Sequence, residues 1–299
     1  MADWLVGLEG TAEGARLAYG LALAAAMLHA VFGALQKGRH DPWLSRAAID
    51  ASYGVIAAPF ALFVVPWPEP WMWPIFAAVF GIHVCYKLLQ AMAYSRGAYT
   101  VVYPVVRGTA PLFTVIGAGI LFQEHFNAVQ WIGVLVLVGG IYGLALYNLR
   151  HAILGRETLG AALFLAVCTG GFVALYTTVD AYGIRATANP FTFLAWFFLI
   201  DSIFMPIVTF RRWWGLPRDQ VVSLMQRGGL GACVAFASFG GIMLATRLGN
   251  VGQAAVLRET STVFSALIGW LMLGEATGPR RVALMAMIAG GAAIVQLAA

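Results

Sequence analysis

Charge is what this sequence lacks most. Only 10% of its 299 residues are Asp, Glu, Lys or Arg, against about 25% in ordinary soluble domains. With 61% of its residues apolar and a mean hydropathy of +0.82, the chain has too little polar surface to cover a soluble globule. A soluble enzyme domain, a disordered chain and a nucleic-acid reader are excluded on that ground. Cysteine is also scarce. Cys85, Cys168 and Cys233 are the three present; all lie in apolar runs, and they offer neither a pairing framework nor a metal-ligand spacing. No HExxH, no GxSxG and no ATP-binding loop occurs. The first sixteen residues, MADWLVGLEGTAEGAR, carry Asp3, Glu9 and Glu13 ahead of any base. The basic opening of a secretory signal is missing, so the first apolar run is expected to be retained.

What is present is a series of apolar runs. A membrane-spanning helix needs ~20 mostly apolar residues. Ten such stretches are expected, near 16–36, 48–66, 71–94, 100–122, 128–147, 158–180, 190–210, 228–246, 251–273 and 280–298. The runs are continuous and lack the period-two alternation of a β-barrel, so helices are expected. Trp67, Trp71 and Trp73 in WPEPWMWP mark a membrane–water interface, as do Trp213 and Trp214.

Basic residues divide unevenly between the two sets of loops. The loops after the first, third, fifth, seventh and ninth runs hold Lys37, Arg39, Arg46, Arg96, Arg150, Arg156, Arg211, Arg212, Arg218, Arg227, Arg280 and Arg281; the other side holds Arg16, Arg185 and Arg247. The net charge of +5 is therefore read as an orientation signal. By the positive-inside rule the richer side is cytoplasmic, which places both termini outside.

The sequence repeats itself. YSRGAYTVVYPVVRGTAPLFTVIGAGILFQE, from Tyr94, aligns without gaps on ATRLGNVGQAAVLRETSTVFSALIGWLMLGE, from Ala245, at an offset of 151. Arg96 falls on Arg247, Arg107 on Arg258, Thr109 on Thr260, Phe113 on Phe264 and Glu124 on Glu275, and the register runs on to Gly139-Gly140 over Gly290-Gly291. Earlier the offset is nearer 140, placing Gly20 on Gly160 and Phe32 on Phe172; a longer loop near 211–227 is expected to absorb the difference. Each repeat, residues 1–149 and 150–299, holds five runs. Five is odd, so the second repeat enters the membrane from the opposite side. The expected fold is thus an all-α integral membrane protein of ten transmembrane helices in two inverted five-helix repeats, with a site near the midplane.

The chain resembles the drug/metabolite transporter superfamily, in particular its ten-helix EamA-type permeases. The likeness rests on the two repeats, on a fourth helix of each ending in Glu (ILFQE at Glu124, LMLGE at Glu275), and on the Gly-Gly helix that comes next. YPVVRGTAP (103–111) and LRETSTVF (257–264) look like the corresponding helices of bacterial members. The resemblance implies a carrier of small molecules in the cell inner membrane, often an exporter of amino acids, metabolites or drugs. It also implies both termini in the cytoplasm, against the charge count.

Ionisable side chains at the centre of a membrane helix cost ~2.5–3.5 kcal/mol on insertion scales and persist where they face protein or water. Arg107 and Arg258 occupy equivalent positions, and their forked donors suit a carboxylate or phosphonate; the alternative is a fixed ion pair or a cap on carbonyls. Glu259 adjoins Arg258 but faces another way on a helix. His83, Lys87, Gln90 and Tyr94 share a face of the third run, and Val234, Ser238, Gly241 and Ala245 stand at the aligned positions. One half supplies polar groups and the other supplies space. Thr100, Tyr103, Arg107 and Thr114 share a face of the fourth run, beside Pro104 and Pro111. Thr169, Tyr176 and Asp180 line the sixth, and His29 and Gln36 the first. A lone His such as His29 is more often packed than proton-carrying. Asp201 is expected to pair with a buried Arg or Lys. Glu124 and Glu275 suggest proton coupling, although a turn or packing role is the stronger reading at a helix end. Tyr86, Tyr103, Tyr176 and Trp196 are the aromatic residues worth testing. The deep charges, Lys87, Arg107 and Arg258 against Asp201 and Glu259, leave one positive charge.

The expected substrate is accordingly a small organic anion or zwitterion, such as an amino acid or phosphonate-like metabolite, moved by alternating access with a proton or other ion as a possible partner. A broad exporter of amphipathic drugs or dyes is the alternative. An intramembrane enzyme would need a convergent catalytic set, and a channel or sensor is disfavoured by lone arginines in the path. No catalytic residue, metal ligand or cofactor is assigned, no nucleic acid is expected, and a monomer or homodimer in the lipid bilayer is.

Overall fold

The computed structural model describes residues 1–36, 41–97, 99–151, 156–273 and 278–298. Within them every regular element is a helix. After a short α1 (Ala2–Gly7) come α2 (Ala12–Gln36), α3 (Pro42–Pro59) ending in a π-helical turn (Phe60–Val64), α4 (Trp73–Arg96), α5 (Tyr99–Phe122), α6 (Ala128–His151) and α7 (Arg156–Ala186). The chain continues as α8 (Pro190–Asp201), α9 (Phe204–Trp213), α10 (Arg218–Leu248), α11 (Val251–Arg258), α12 (Ser261–Leu273) and α13 (Pro279–Leu297). Among the described residues nine stretches are long and apolar enough to cross a membrane. They match nine of the ten expected runs.

Three expectations need correction. The ninth run, 251–273, is two helices broken at Glu259–Thr260. The seventh is also interrupted, at Ser202–Ile203, where Pro206 withholds its N–H from the carbonyl of Ser202. The long loop near 211–227 is short: α9 ends at Trp213 and α10 begins at Arg218. The additional residues of the second half extend α10 by some turns instead. Lys37, Arg39 and Glu275 lie outside the described residues, as do the side chains of Gln36, Thr100 and Arg156.

The chain packs as two compact units, each drawing on both halves of the sequence. One comprises Met1–Gly81 with Asp180–Leu248, the other Ile82–Val179 with Gly249–Ala299. In the first, α10 lies against α2 and α3. Small residues permit the approach: a Cβ on Gly228 would stand 2.7 Å from the carbonyl oxygen of Ala48. Ser238 donates to the carbonyl of Ala25 at 2.9 Å. Asp201 accepts the Tyr53 hydroxyl and lies 3.9 Å from Arg46, which is itself paired with Asp50 at 2.7 Å. Arg46 therefore belongs to α3 and neutralises buried carboxylates, rather than standing free in a loop. Arg247 bonds Glu9 at 2.5 Å and the carbonyl of Thr187 at 2.5 Å, while Arg185 donates to the carbonyl of Thr246 at 2.7 Å. These two bases bind the ends of α7 and α10 together.

In the second unit, α6 packs along α13, and α5 against α6 and α11. The α6–α13 contact is antiparallel and made by glycine. A Cβ on Gly291 would meet the oxygen of Gly133 and the nitrogen of Leu137 at 2.5 Å; one on Gly140 would meet the oxygen of Leu284 at 3.0 Å and the nitrogen of Ile288 at 3.1 Å. Glycine at these points lets two backbones touch, the usual route to close packing where lipid removes the hydrophobic drive. The core beside it holds Val134, Leu137, Ile141, Val256 and Ile288.

Candidate substrate site

The site is built where α5 meets the break between α11 and α12, within the second unit. The break has a local cause. Across it, N–H groups reach back three residues instead of four: Glu259 to Val256 at 3.1 Å, Thr260 to Leu257 at 3.0 Å, Thr262 to Glu259 at 3.1 Å and Val263 to Thr260 at 2.9 Å. Hydroxyls compete for the same carbonyls, Thr260 Oγ donating to Leu257 at 2.7 Å and Thr262 Oγ to Glu259 at 2.8 Å. Thr and Ser favour such local bonds over a regular helix. The shift takes the Thr262 N–H away from the carbonyl of Arg258, which would be its partner in an α-helix.

Arg107 fills the place. Its Nη2 donates to the Arg258 carbonyl at 3.3 Å and to Ser261 Oγ at 3.0 Å. Its Nε lies 2.9 Å from Glu259 Oε2, and its Cζ is 5.9 Å from the centre of the Tyr103 ring. Both partners of the ion pair are buried, Arg107 at 4% exposure and Glu259 at 2%. A single guanidinium thus engages both sides of the break, by charge and by hydrogen bond. Arg107 is thus the ion-pair partner of Glu259, and Arg258, next to Glu259 in sequence, is buried with them. Glu124 of this unit is committed elsewhere: its oxygens accept from the N–H groups of Val251 at 2.7 Å and Gly252 at 3.0 Å. A carboxylate on those unsatisfied donors complements the positive end of α11. That is the turn role expected for Glu124.

Aromatic rings form a second part of the site. The Tyr103 ring stands beside Arg107, and Tyr176 and Tyr86 pack in one core cluster with Val105 and Val106 of the same helix, α5. Tyr176 lies 4.6 Å from His83 and 5.1 Å from Tyr86, between ring centres. Gln90 Nε2 donates to the Tyr86 hydroxyl at 2.8 Å. The structure thus gathers Arg107, Arg258, Glu259 and Tyr103, and joins His83, Gln90 and Tyr176 to them through Tyr86. Lys87 is buried on α4, one turn beyond His83. His29 belongs to the first unit, where its ring lies 6.0 Å from Phe32 and 5.6 Å from Phe239. Asp201 belongs to the first unit, where it meets Tyr53 and Arg46.

Ser261 is the contact that sequence reasoning misses. The run Glu-Thr-Ser-Thr at 259–262 was its signal, since three helix-competing residues in a row inside an apolar stretch mark a break. Among the described residues no group of three or more His, Cys, Asp or Glu is placed to hold a metal ion.

Fold and site together define a multi-pass helical membrane protein with a buried, positively charged, aromatic-lined polar cluster at a broken helix. The chain belongs to the EamA-like transporter family, whose model matches it twice, over residues 16–146 and 160–297. It is similar to the probable 4-amino-4-deoxy-L-arabinose-phosphoundecaprenol flippase subunit ArnE of Pseudomonas fluorescens (strain Pf0-1), with 33% identity over 76 residues. That match covers 25% of this chain and 61% of the relative's length. A crystal structure of a protein 18% identical in sequence shares the fold with a TM-score of 0.74, over 96% of this chain and 99% of that one.

Proposed function

We propose that this transporter is a secondary carrier of a small organic anion or zwitterion, such as an amino acid or a phosphonate-like metabolite, across the cell inner membrane. The observation that carries the reading is the Arg107 cluster: a buried guanidinium on a buried carboxylate at a broken helix, with Arg258 buried at the same break and the Tyr103 ring beside the guanidinium. Arg107 and Arg258 against Glu259 leave one positive charge at the break, and an anionic group on the solute offsets it. Glu259 supplies a counter-charge for an ammonium, which fits a zwitterion. The name of the Pseudomonas relative carries both an amino and a phospho group, which agrees in chemistry.

Alternating access between two inverted five-helix repeats is the proposed mechanism. Several features support it. The family model matches once in each half. Arg107 bonds the carbonyl of Arg258, its own counterpart at an offset of 151. Gly140 lies against Leu284 and Ile288, and Gly291 against Gly133 and Leu137. Those contacts map onto each other at the same offset. A residue touching its own counterpart across an antiparallel pair is the signature of a local twofold axis in the membrane plane. Interrupted helices are also the usual substrate-binding elements of such carriers. The driving ion, the direction and the orientation of the termini are part of the same proposal. A proton is the first ion to test, with both termini on the side that the charge count assigns.

The test is uptake into liposomes holding the purified protein, with and without a pH gradient, over a panel of carboxylates, amino acids, phosphonates and cationic dyes. Saturable transport of anions or zwitterions, lost in Arg107→Gln and Arg258→Gln, is expected. Transport of cationic dyes alone, unchanged in both variants, would replace this reading with that of a drug exporter.

A further inference from the structure

We propose that the cleft between the ends of α6 and α13 is a binding site for an anionic glycerophospholipid of the surrounding bilayer. The cleft has a volume of about 490 Å³ and is lined by Gly143, Leu146, Tyr147, Arg150, Arg280, Ala283 and Leu284. It lies at the end of the helix pair away from the Gly133–Gly291 contact, where α6 finishes at His151 and α13 starts at Pro279. The end of a spanning helix is a membrane boundary, so the cleft sits at headgroup depth.

Its chemistry is divided in the way a phospholipid is. Arg150 and Arg280 are exposed, and neither has a hydrogen-bond or ion-pair partner among the described residues. Two arginines from different helices line the one cleft, and their guanidiniums are suited donors for a phosphodiester. Below them the walls are apolar. Leu146 is 53% exposed, Ala283 is exposed, and Leu284 closes the floor against Gly143, where a Cβ would stand 2.5 Å from Leu284 Cδ2. An inorganic phosphate would satisfy the arginines and leave the apolar space empty. A lipid fills both parts, with its phosphate on the guanidiniums and its glycerol and first methylenes along Leu146, Ala283 and Leu284. Basic pockets between membrane helices on the cytoplasmic side hold anionic headgroups in this manner, and in the orientation proposed above this end is the cytoplasmic one.

The proposal is tested by native mass spectrometry of the full chain in detergent with phosphatidylglycerol, cardiolipin or phosphatidylcholine. Retention of the two anionic lipids and not of phosphatidylcholine is expected. Arg150→Gln with Arg280→Gln should cut that retention at least fivefold with an unchanged circular-dichroism melt. Arg211→Gln with Arg227→Gln, which removes equal charge from exposed positions elsewhere, should leave it intact. Equal losses in the two double variants would overturn the site in favour of diffuse surface charge. Equal retention of phosphatidylcholine would overturn the headgroup specificity. Displacement of the lipid by millimolar inorganic phosphate would assign the arginines to a soluble anion instead.

Discussion

The two aligned helices at the site, α5 in the first half and α11–α12 in the second, reach the same end by opposite means. α5 contains Pro104 and Pro111 and is continuous; α11–α12 contains no proline and is broken. Yet the same carbonyl is released in both. In α5, Pro111 has no N–H to offer the carbonyl of Arg107 four residues earlier. In the second half, the residue aligned with Pro111 is Thr262, and its N–H turns to Glu259 instead of Arg258. A missing donor and a diverted donor are equivalent for the acceptor. They differ in their effect on the helix. α5 runs on through both prolines, whereas the Glu-Thr-Ser-Thr run ends one helix and starts another. The first half thus contributes a continuous arm carrying Arg107, and the second contributes the joint that Arg107 holds.

Removing the arm is the strongest way to break that comparison. Arg107→Gln leaves Glu259 buried without its ion-pair partner. Breaking a buried pair in this way costs about 3–5 kcal/mol. Thermal unfolding in detergent should fall accordingly, and the double variant Arg107→Gln, Glu259→Gln should recover most of the loss. Transport of anions should return in neither. An Arg107→Gln protein that melts like the parent would show that the pair does not hold the joint.

The next effect belongs to the other end of the joint. Glu124→Gln replaces a charged acceptor on two N–H groups of α11 by a neutral one. Hydrogen bonds to charged groups contribute about 1.5–3 kcal/mol, so a loss near the lower end of that range is expected in the same unfolding measurement. Amide exchange at Val251 and Gly252 should quicken. Exchange that is unaltered there would mean that the carboxylate does not cap α11.

The equivalence of the halves is sharpened by a matched pair. Gly140→Ala and Gly291→Ala each push a methyl into the backbone of the facing helix. Overpacking of this kind costs about 1–3 kcal/mol. Losses within a factor of two of each other are expected, the larger for Gly291, whose contacts are closer. A loss confined to one variant would argue against a local twofold axis between α6 and α13.

These contacts also mark how far the sequence could be read. Nine of ten spans follow from apolar runs alone, because a lipid-facing helix announces itself by composition. The Gly-Gly pairs and the offset of 151 were visible, and so was the pairing of Arg107 with Arg258 as counterparts. What was hidden depended on the third dimension. Arg107 and Glu259 are 152 residues apart, and nothing in a span's hydropathy says which carboxylate a guanidinium meets. Arg46 looked like a loop base because it stands among polar residues, but α3 starts at Pro42 and carries Arg46 to Asp50 and Asp201. The break at Glu259 was overlooked for a related reason. Threonine and serine are tolerated in membrane helices, and their competition for carbonyls is decided by neighbours such as Arg107.

The smallest effect tests which of Arg107's contacts matters. Ser261→Ala removes one hydrogen bond and leaves the ion pair and the bond to the Arg258 carbonyl. A single net hydrogen bond is worth about 0.5–1.5 kcal/mol, so the melting temperature should fall slightly. The hydroxyl also sets the angle at which the fork is held, and solute affinity in the liposome assay should weaken several-fold while the maximal rate changes less. The equivalent position in the first half is Ala110, so the substitution makes the two halves alike there. A Ser261→Ala protein as unstable as Arg107→Gln would move the weight of the cluster from the carboxylate to the hydroxyl. The joint would then be held by the Arg107–Ser261 hydrogen bond, with the carboxylate left to the solute.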